Sequence, residues 1–189
     1  IVSRDWSSDV CSSDLGNGEE EKMSDKFVAV LMGSDSDLPT MQACLDILKK
    51  LEVPCEVKIT SAHRTPAITH EYVKDADARG CGAFIAAAGL AAHLAGAVAA
   101  ATTKPVIGVP MNGALEGMDS LLSTVQMPGG IPVATVAIGK HGAKNSAYLA
   151  AQILATADPA LAQRVVDERE ANAQAVQAAD AKLQAQLNG

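Results

Sequence analysis

Aromatic residues make up only 3% of this 189-residue chain, and its four cysteines form no Cys-x-x-Cys pair. With so few aromatic side chains, the core has to be built from Ala, Val, Ile and Leu. The cysteines lie far apart, and no histidine stands at metal-ligand spacing from them, which argues against a structural metal site. We therefore expect free thiols and a reducing, cytoplasmic environment. These cysteines are Cys11, Cys44, Cys55 and Cys81.

The chain also lacks a long apolar run and an excess of positive charge. No stretch approaches the ~20 apolar residues that a membrane-spanning helix needs, and no secretory signal precedes the first predicted strand. The formal net charge is −7 and the pI is near 5.0. Because an acidic surface repels nucleic acid and anionic membranes, we expect neither as a partner. Any anion-binding site must then be a local feature of the fold.

The first 22 residues differ from the rest of the chain. They are rich in Ser and Asp, contain the single tryptophan, Trp6, and show neither helical nor strand periodicity. We interpret them as a disordered leader that resembles translated adapter sequence, and we expect Met23 to be the native start. The predicted organisation is a leader over 1–22, one folded domain over 23–157 and a C-terminal helical extension over 158–189.

From Phe27 onward, strand and helix patterns alternate five times. The strands are predicted near 27–32, 55–61, 82–88, 105–110 and 131–138, and the helices near 39–51, 66–79, 91–102, 117–126 and 143–156. This alternation predicts an α/β fold, a flavodoxin-like parallel sheet in a three-layer αβα sandwich. The Ala/Gln-rich tail predicts a weakly amphipathic C-terminal helix that packs on a neighbouring subunit or frays.

The loop after the first predicted strand has the composition of an anion site. It reads Gly-Ser-Asp-Ser-Asp at residues 33–37, directly before a helix. Free backbone N–H groups at the helix start would attract a phosphate, and Ser34 and Ser36 would add hydroxyl donors. The alternative is that these residues only cap the helix. Neither the Gly-x-x-x-x-Gly-Lys-Ser/Thr nor the Gly-x-Gly-x-x-Gly fingerprint is present, which favours a phosphate monoester over a triphosphate or dinucleotide.

A second loop places an imidazole beside a fixed positive charge. Residues 61–66 read Ser-Ala-His-Arg-Thr-Pro, between a β-branched strand pattern and a helix that Pro66 would begin. His63 and Arg64 therefore lie on a carboxyl-end loop, where open parallel sheets bind their ligands. An imidazole there is suited to proton transfer. The alternative is a solvent-facing loop histidine without a role.

A third loop, after the third predicted strand, is unusually small-sided. Gly89 and the alanines around it would leave room for a flat ring against bare backbone, or would simply permit tight helix packing. His93 in this loop is either part of the site or a capping or core histidine. Gln126 and Met127, further on, would line the pocket or a subunit contact, or merely flank a turn.

Five motifs together resemble those of a known family. In order, the chain has Gly-Ser-Asp-Ser-Asp at 33–37, Ser-Ala-His-Arg-Thr-Pro at 61–66, Ala-Gly-Leu-Ala-Ala-His-Leu at 88–94, Gln-Met-Pro-Gly-Gly-Ile-Pro-Val at 126–133, and the stretch 137–145. They resemble the bacterial 5-(carboxyamino)imidazole ribonucleotide mutases, also called the catalytic subunit of phosphoribosylaminoimidazole carboxylase. The resemblance covers about residues 27–157.

The resemblance implies a cofactor-independent isomerase of purine (IMP) biosynthesis that works as a homo-octamer. Such an enzyme moves the carboxylate of 5-(carboxyamino)imidazole ribonucleotide from the exocyclic nitrogen to ring carbon 4. It implies that His63 is the catalytic residue at the reacting ring, and that Ser34, Asp37 and Arg64 hold the phosphoribosyl part. No metal ligand is expected. The candidate substrate-binding residues are Ser34, Ser36, Asp37, Ser61, Arg64, Gly89 and His93.

The third loop departs from the family's commoner pattern at Ala87, Leu90 and Ala95, and Leu90 replaces a flexible glycine. One alternative function is a carboxylase or lyase that uses free carbon dioxide on the same ring. Another is a phospho-ligand sensor on the same scaffold, which would bind without turnover. A receiver domain is disfavoured: the acids Asp35 and Asp37 are present at the sheet edge, but the last strand has no partnering lysine at its end other than Lys140.

Overall fold

The computed structural model describes residues 26–188, whose centre is a five-stranded parallel sheet in the order β2-β1-β3-β4-β5. The strands are β1 (Phe27–Met32), β2 (Cys55–Ile59), β3 (Cys81–Ala88), β4 (Val106–Pro110) and β5 (Ala134–Thr135). The helices are α1 (Leu38–Lys50), α2 (Pro66–Ala78), α3 (Leu94–Ala99), α4 (Met118–Val125), α5 (Gly139–Ala155) and α6 (Pro159–Leu187). The predicted flavodoxin-like sandwich is confirmed. The leader expected over 1–22 lies outside the described residues.

The sheet is covered on both faces by helices. Every residue of β1 is buried, because successive side chains point to opposite faces and each face carries a helical layer. Val28 and Val30 pack in the cluster with α1 and α5. Ala29 and Leu31 belong to the second cluster, which includes residues of α2 and α3. A strand buried on both faces reads as a continuous apolar run, which explains why β1 and β3 were predicted within a residue.

The fifth strand and the third helix are shorter than predicted for local steric reasons. The fifth strand spans only Ala134–Thr135 instead of 131–138, because residues 129–131 form a turn and Pro132 has no N–H for a sheet ladder. The third helix begins at Leu94 instead of residue 91, because the preceding loop passes through a left-handed conformation at Leu90.

Helix α5 begins at Gly139, four residues earlier than predicted. Gly142 looks like a helix breaker in the sequence, yet it lies within the first turns of α5. A Cβ atom at this position would lie 1.6 Å from the carbonyl oxygen of Ala137. The absence of a side chain therefore permits a close backbone approach at the helix start.

The C-terminal helix α6 packs on its own chain through its first turns. Asp158 caps it by accepting the N–H of Leu161 at 3.0 Å, and Leu161 is buried. Glu168 is also buried and accepts hydrogen bonds from the Tyr148 hydroxyl at 2.9 Å and from Lys50 at 2.6 Å. Residues 169–188 are exposed along their whole length. Across residues 26–188, none of the helices combines the length and apolar character required to cross a bilayer.

Candidate active site

The carboxyl ends of β1, β2, β3 and β4 bring four loops together at one edge of the sheet. The N–H of Gly33 bonds the carbonyl of Ala87 at 3.0 Å, and the N–H of Met111 bonds that of Ala88 at 2.9 Å. A cavity of about 600 Å³ opens between these loops. Its lining comprises Gly33, Ser34, Ser36, Asp37, Ser61, Ala62, His63, Arg64, Ala88, Gly89, Leu90, Ala91, His93, Leu94, Asn112 and Gly113. All eight site residues expected from the sequence therefore border one cavity.

The first loop is organised around the hydroxyl of Ser34. This oxygen accepts the N–H of Ser36 at 3.2 Å and the hydroxyl of Ser36 at 2.8 Å, and it donates to Asp35 at 3.1 Å. Ser34 thereby caps a single 3-10 turn over Asp35–Asp37. The capping alternative thus describes part of what Ser34 does, while Ser36 and Asp37 also face the cavity.

Asp37 is the half-buried carboxylate of the site. Burial raises the pKa of its carboxyl, a backbone hydrogen bond involving Ser34 lowers it, and the charge of Asp35 raises it further. Removal from water makes the ionised form less favourable unless donors are supplied. Hydroxyl groups of a bound sugar would be such donors, whereas a phosphate would be repelled.

The second loop is fixed by hydroxyl groups of its own residues. The Ser61 hydroxyl accepts the backbone N–H groups of His63 at 3.3 Å and Arg64 at 3.1 Å. The Thr65 hydroxyl accepts the N–H of Ser61 at 2.9 Å. Ser61 therefore orients the main chain that carries the imidazole and the guanidinium. Within residues 26–188, the Arg64 side chain has no acceptor within hydrogen-bond or salt-bridge distance.

The imidazoles of His63 and His93 meet across the cavity. His63 Nε2 lies 2.8 Å from His93 Nδ1, and the rings stand edge to face at 73° with centroids 4.9 Å apart. His93 immediately precedes α3, but its side chain makes no capping hydrogen bond. Both side chains are exposed. The third loop thus presents its histidine to the second loop, which neither the capping nor the core interpretation anticipated.

Sequence reasoning missed Asn112 and Gly113, which line the cavity from the loop after β4. The signal was available, because the rule that parallel strands bind ligands at their carboxyl ends applies to the fourth strand as well. Nearby, Oδ1 of Asp119 is buried and has no hydrogen-bond partner among the described residues. Met127 does not line the cavity; its sulfur lies 3.3 Å from the position of a Cβ on Gly96. The described part of the chain contains no cluster of three or more metal-ligating side chains.

The comparisons with known proteins agree with this architecture. The model of the AIR carboxylase family matches residues 27–175. The N5-carboxyaminoimidazole ribonucleotide mutase of Bacillus subtilis is 56% identical over 151 residues, which are 79% of this chain and 93% of the relative. The Escherichia coli K12 protein of the same name is 54% identical over 145 residues, covering 76% and 86% of the two chains.

Solved structures show the same fold. Treponema denticola PurE superposes with a TM-score of 0.75 at 32% sequence identity, covering 84% of this chain and 98% of that one. A singly substituted variant of the PurE2 protein from the same organism gives a TM-score of 0.76 at 31% identity over the same shares. The similarity spans nearly the whole of both solved chains.

Proposed function

The chain belongs to the AIR carboxylase family, and from that premise we propose that it is an N5-carboxyaminoimidazole ribonucleotide mutase. It moves the carboxylate of the substrate from the exocyclic nitrogen to ring carbon 4, in purine biosynthesis, and is therefore an isomerase. The Bacillus subtilis and Escherichia coli relatives that carry the mutase name are 56% and 54% identical to it. This similarity favours the mutase over a carboxylase that takes free carbon dioxide.

The mechanism is supported by the position of two imidazoles, which lie beside the unpaired Arg64 guanidinium and the first loop, where Ser34 caps a 3-10 turn. His63 and His93 approach within 2.8 Å on the wall of the cavity. Arg64 borders the same cavity and has no acidic partner among residues 26–188. A ribonucleotide needs a site for a dianion, one for sugar hydroxyls and one for its ring, and these side chains supply all three.

We assign the phosphoribosyl group to the first and second loops. Arg64, with the hydroxyls of Ser34 and Ser36, binds the phosphate through charge-assisted hydrogen bonds. Asp37 accepts hydrogen bonds from the ribose hydroxyls. The imidazole ring of the substrate lies against the bare backbone at Gly89, beside the pair formed by His63 and His93.

In this mechanism, one imidazole acts first as an acid and then as a base. Protonated His63 donates a proton to the exocyclic nitrogen of the substrate. At the same time the bond between that nitrogen and the carboxylate carbon breaks, which leaves the amine and carbon dioxide. Ring carbon 4 then attacks the carbon dioxide, and neutral His63 takes the proton that this carbon loses. His63 gives one proton to the exocyclic nitrogen and receives another from carbon 4, so it ends protonated as it began, and no external acid, base or oxidant is consumed. Imidazole suits both steps because its ordinary pKa is near neutral.

The cavity keeps the two fragments together between these steps. Carbon dioxide held beside carbon 4 reacts without a bimolecular encounter, which removes much of the entropic barrier. His93, bonded to the His63 ring, fixes the orientation of that ring before substrate enters. Since both steps are proton and carboxylate transfers, the proposal requires no metal or organic cofactor.

We also propose that the protein works as a homo-oligomer, with the octamer implied by the family resemblance. Met118, Leu122 and Val125 form an exposed apolar stripe on α4, with exposed fractions of 49%, 53% and 45%. Such a stripe is typical of a helix that packs on another copy. Sedimentation at micromolar concentration tests this assembly, and a fully active monomer would refute it.

The free thiols of Cys44, Cys55 and Cys81 support a reducing, cytoplasmic location.

The deciding experiment compares two substrates under the same conditions. The purified protein is supplied either with the carbamate ribonucleotide or with the aminoimidazole ribonucleotide plus bicarbonate, and the carbon-4 carboxylated product is measured. A mutase is expected to turn over the carbamate at low bicarbonate. Product formed only from the aminoimidazole and bicarbonate would show the carboxylase instead, and binding without any product would show a sensor.

A further inference from the structure

Leu90 adopts a backbone conformation that is rare for a residue with a side chain. Its φ is +55°, in the left-handed region, where the Cβ crowds the neighbouring carbonyl. Residues persist there when the surrounding structure holds them, and such strain is typical of functional sites. The Leu90 side chain is 58% exposed, so burial in a core does not account for the conformation.

The side chain of Leu90 rests on Gly113, in the loop that follows β4. A Cβ atom at Gly113 would lie only 3.1 Å from Leu90 Cδ2, tighter than ordinary van der Waals contact. The missing side chain at residue 113 thus makes the room that the leucine occupies. The φ of Gly113 lies outside the left-handed region, so its backbone conformation does not itself require glycine. Residue 113 is a glycine because the side chain of Leu90 occupies the space that a side chain there would need.

This contact continues the pairing of two strands into their loops. The last ladder bond between β3 and β4 joins the N–H of Met111 to the carbonyl of Ala88 at 2.9 Å. Two residues after Ala88 and two residues after Met111, the side chain of Leu90 contacts Gly113. At the other end of the loop Ala92 is buried, and its carbonyl is 3.5 Å from the hydroxyl of Thr124. The residue after that fixed point is His93.

We propose that Leu90 is a positioning residue, whose side chain, seated on Gly113, holds the loop over residues 89–93 so that His93 Nδ1 meets His63 Nε2. The inference rests on the proposed function for its effect on catalysis. Its physical content is independent of that function, because a loop held at both ends has fewer conformations to lose when a ligand binds. Leu90 touches no reacting atom; it acts through His93.

The test uses Leu90→Gly, which removes the side chain and also the left-handed strain. Amide hydrogen exchange of residues 89–93 without substrate, kcat, KM and melting temperature are compared with those of the unchanged protein. We expect exchange to accelerate and kcat to fall, each by at least about fivefold, while the melting temperature is kept. The matched control is Glu52→Gly, since Glu52 also has a φ of +55° but lies in the turn between α1 and β2. It should leave kcat unchanged.

Two further variants keep the proposal falsifiable. Leu90→Met retains a side chain long enough to reach Gly113 and should restore kcat and slow exchange. Gly113→Ala displaces the leucine from the other side and should accelerate hydrogen exchange of residues 89–93 as Leu90→Gly does. Because Gly113 also borders the cavity, exchange without substrate is compared instead of kcat, and it decides the matter if Leu90→Gly does not fold. Exchange and kcat of Leu90→Gly equal to those of the unchanged protein would overturn the proposal, as would Leu90→Met being equally impaired. If the unchanged protein has no turnover, the proposed function fails, and hydrogen exchange alone still decides whether Leu90 holds the loop.

Discussion

His63 and His93, thirty residues apart in the sequence, face each other through Nε2 and Nδ1 at 2.8 Å. A hydrogen bond between two ring nitrogens needs one N–H and one bare nitrogen. The contact therefore cannot persist with both rings as imidazolium. The pair therefore holds at most one proton beyond two neutral rings. One is the number that the proposed mechanism uses, since His63 gives a proton to the exocyclic nitrogen and receives one from carbon 4.

His63→Asn tests the assignment of the acid and base. Asparagine keeps a polar side chain of similar reach but does not exchange protons near neutral pH, so substrate analogues should still bind. We expect turnover to fall by ~10²–10⁴-fold or more, since one group serves in two proton transfers. The measurement is single-turnover product formation beside analogue binding. Retention of more than about a tenth of the activity would rule out His63 as the acid–base group.

Arg64→Ala tests the phosphate site. Loss of a charge-assisted contact should weaken ribonucleotide binding by about 1.5–3 kcal/mol, with little effect on the phosphate-free nucleoside. Calorimetric titration with both ligands measures the difference. Ser34→Ala should act in the same direction, but because the Ser34 hydroxyl also caps the 3-10 turn, this variant should lose some stability as well. Equal losses for nucleotide and nucleoside would show that these side chains do not contact the phosphate.

Glu168→Gln tests how α6 is held to the body of the protein. The hydrogen bond from Lys50 lowers the pKa of the Glu168 carboxyl below its ordinary 4.5, with burial opposing and Tyr148 assisting. A lowered folded-state pKa contributes stability above the unfolded-state value, and this contribution is lost as the pH falls through the folded-state value. At pH 7 the variant should melt about 2–4 °C lower than the unchanged protein. At a pH below both values the two should converge.

The matched control for that measurement is Glu170→Gln, on the same helix. Glu170 is exposed and accepts a hydrogen bond only from Gln174 among the described residues. Its replacement should leave the melting temperature nearly unchanged at both pH values. If the two variants behave alike, the buried position of Glu168 gives it no special part in holding α6.

Gly142→Ala tests the close approach at the start of α5. The new Cβ would meet the carbonyl oxygen of Ala137 at 1.6 Å, so the backbone itself has to move. We expect the free energy of unfolding to drop by about 3 kcal/mol or more. Gly129→Ala is the control, because a Cβ there meets no atom within 4 Å and should cost little. Urea denaturation of both variants provides the comparison, and equal stabilities would contradict this account of α5.

The sequence was sufficient for the features that depend on local pattern. β1 is apolar at every position because both of its faces are covered, and Pro66 marks the start of α2 where it was expected. Because ligands bind at the carboxyl ends of parallel strands, the sequence also predicted that the first three loops form one site. The residues of the first loop themselves predicted a phosphate site, whereas the family resemblance assigned Arg64 and Asp37 to the phosphoribosyl part and His63 to the reacting ring.

Other features depend on contacts that no local pattern encodes. β5 is short because a ladder requires N–H groups that its flanking turn and Pro132 do not supply. The His63–His93 contact depends on how far two loops lean toward each other. The left-handed Leu90 is understandable only once Gly113 is seen beneath it. Glu168 is buried through a lysine and a tyrosine from two other helices, although it lies in a stretch that reads as a solvated helix.

The cavity wall contains an unusual share of residues with little or no side chain: Gly33, Ala62, Ala88, Gly89, Ala91 and Gly113. A flat inhibitor bound against them would rest largely on main-chain atoms, which every amino acid possesses. At the three glycines, a point substitution cannot delete such a contact; it can only add bulk. Added bulk would obstruct the substrate's own ring in the same place. Resistance arising along this wall would therefore be expected to reduce the fitness of the organism that acquires it.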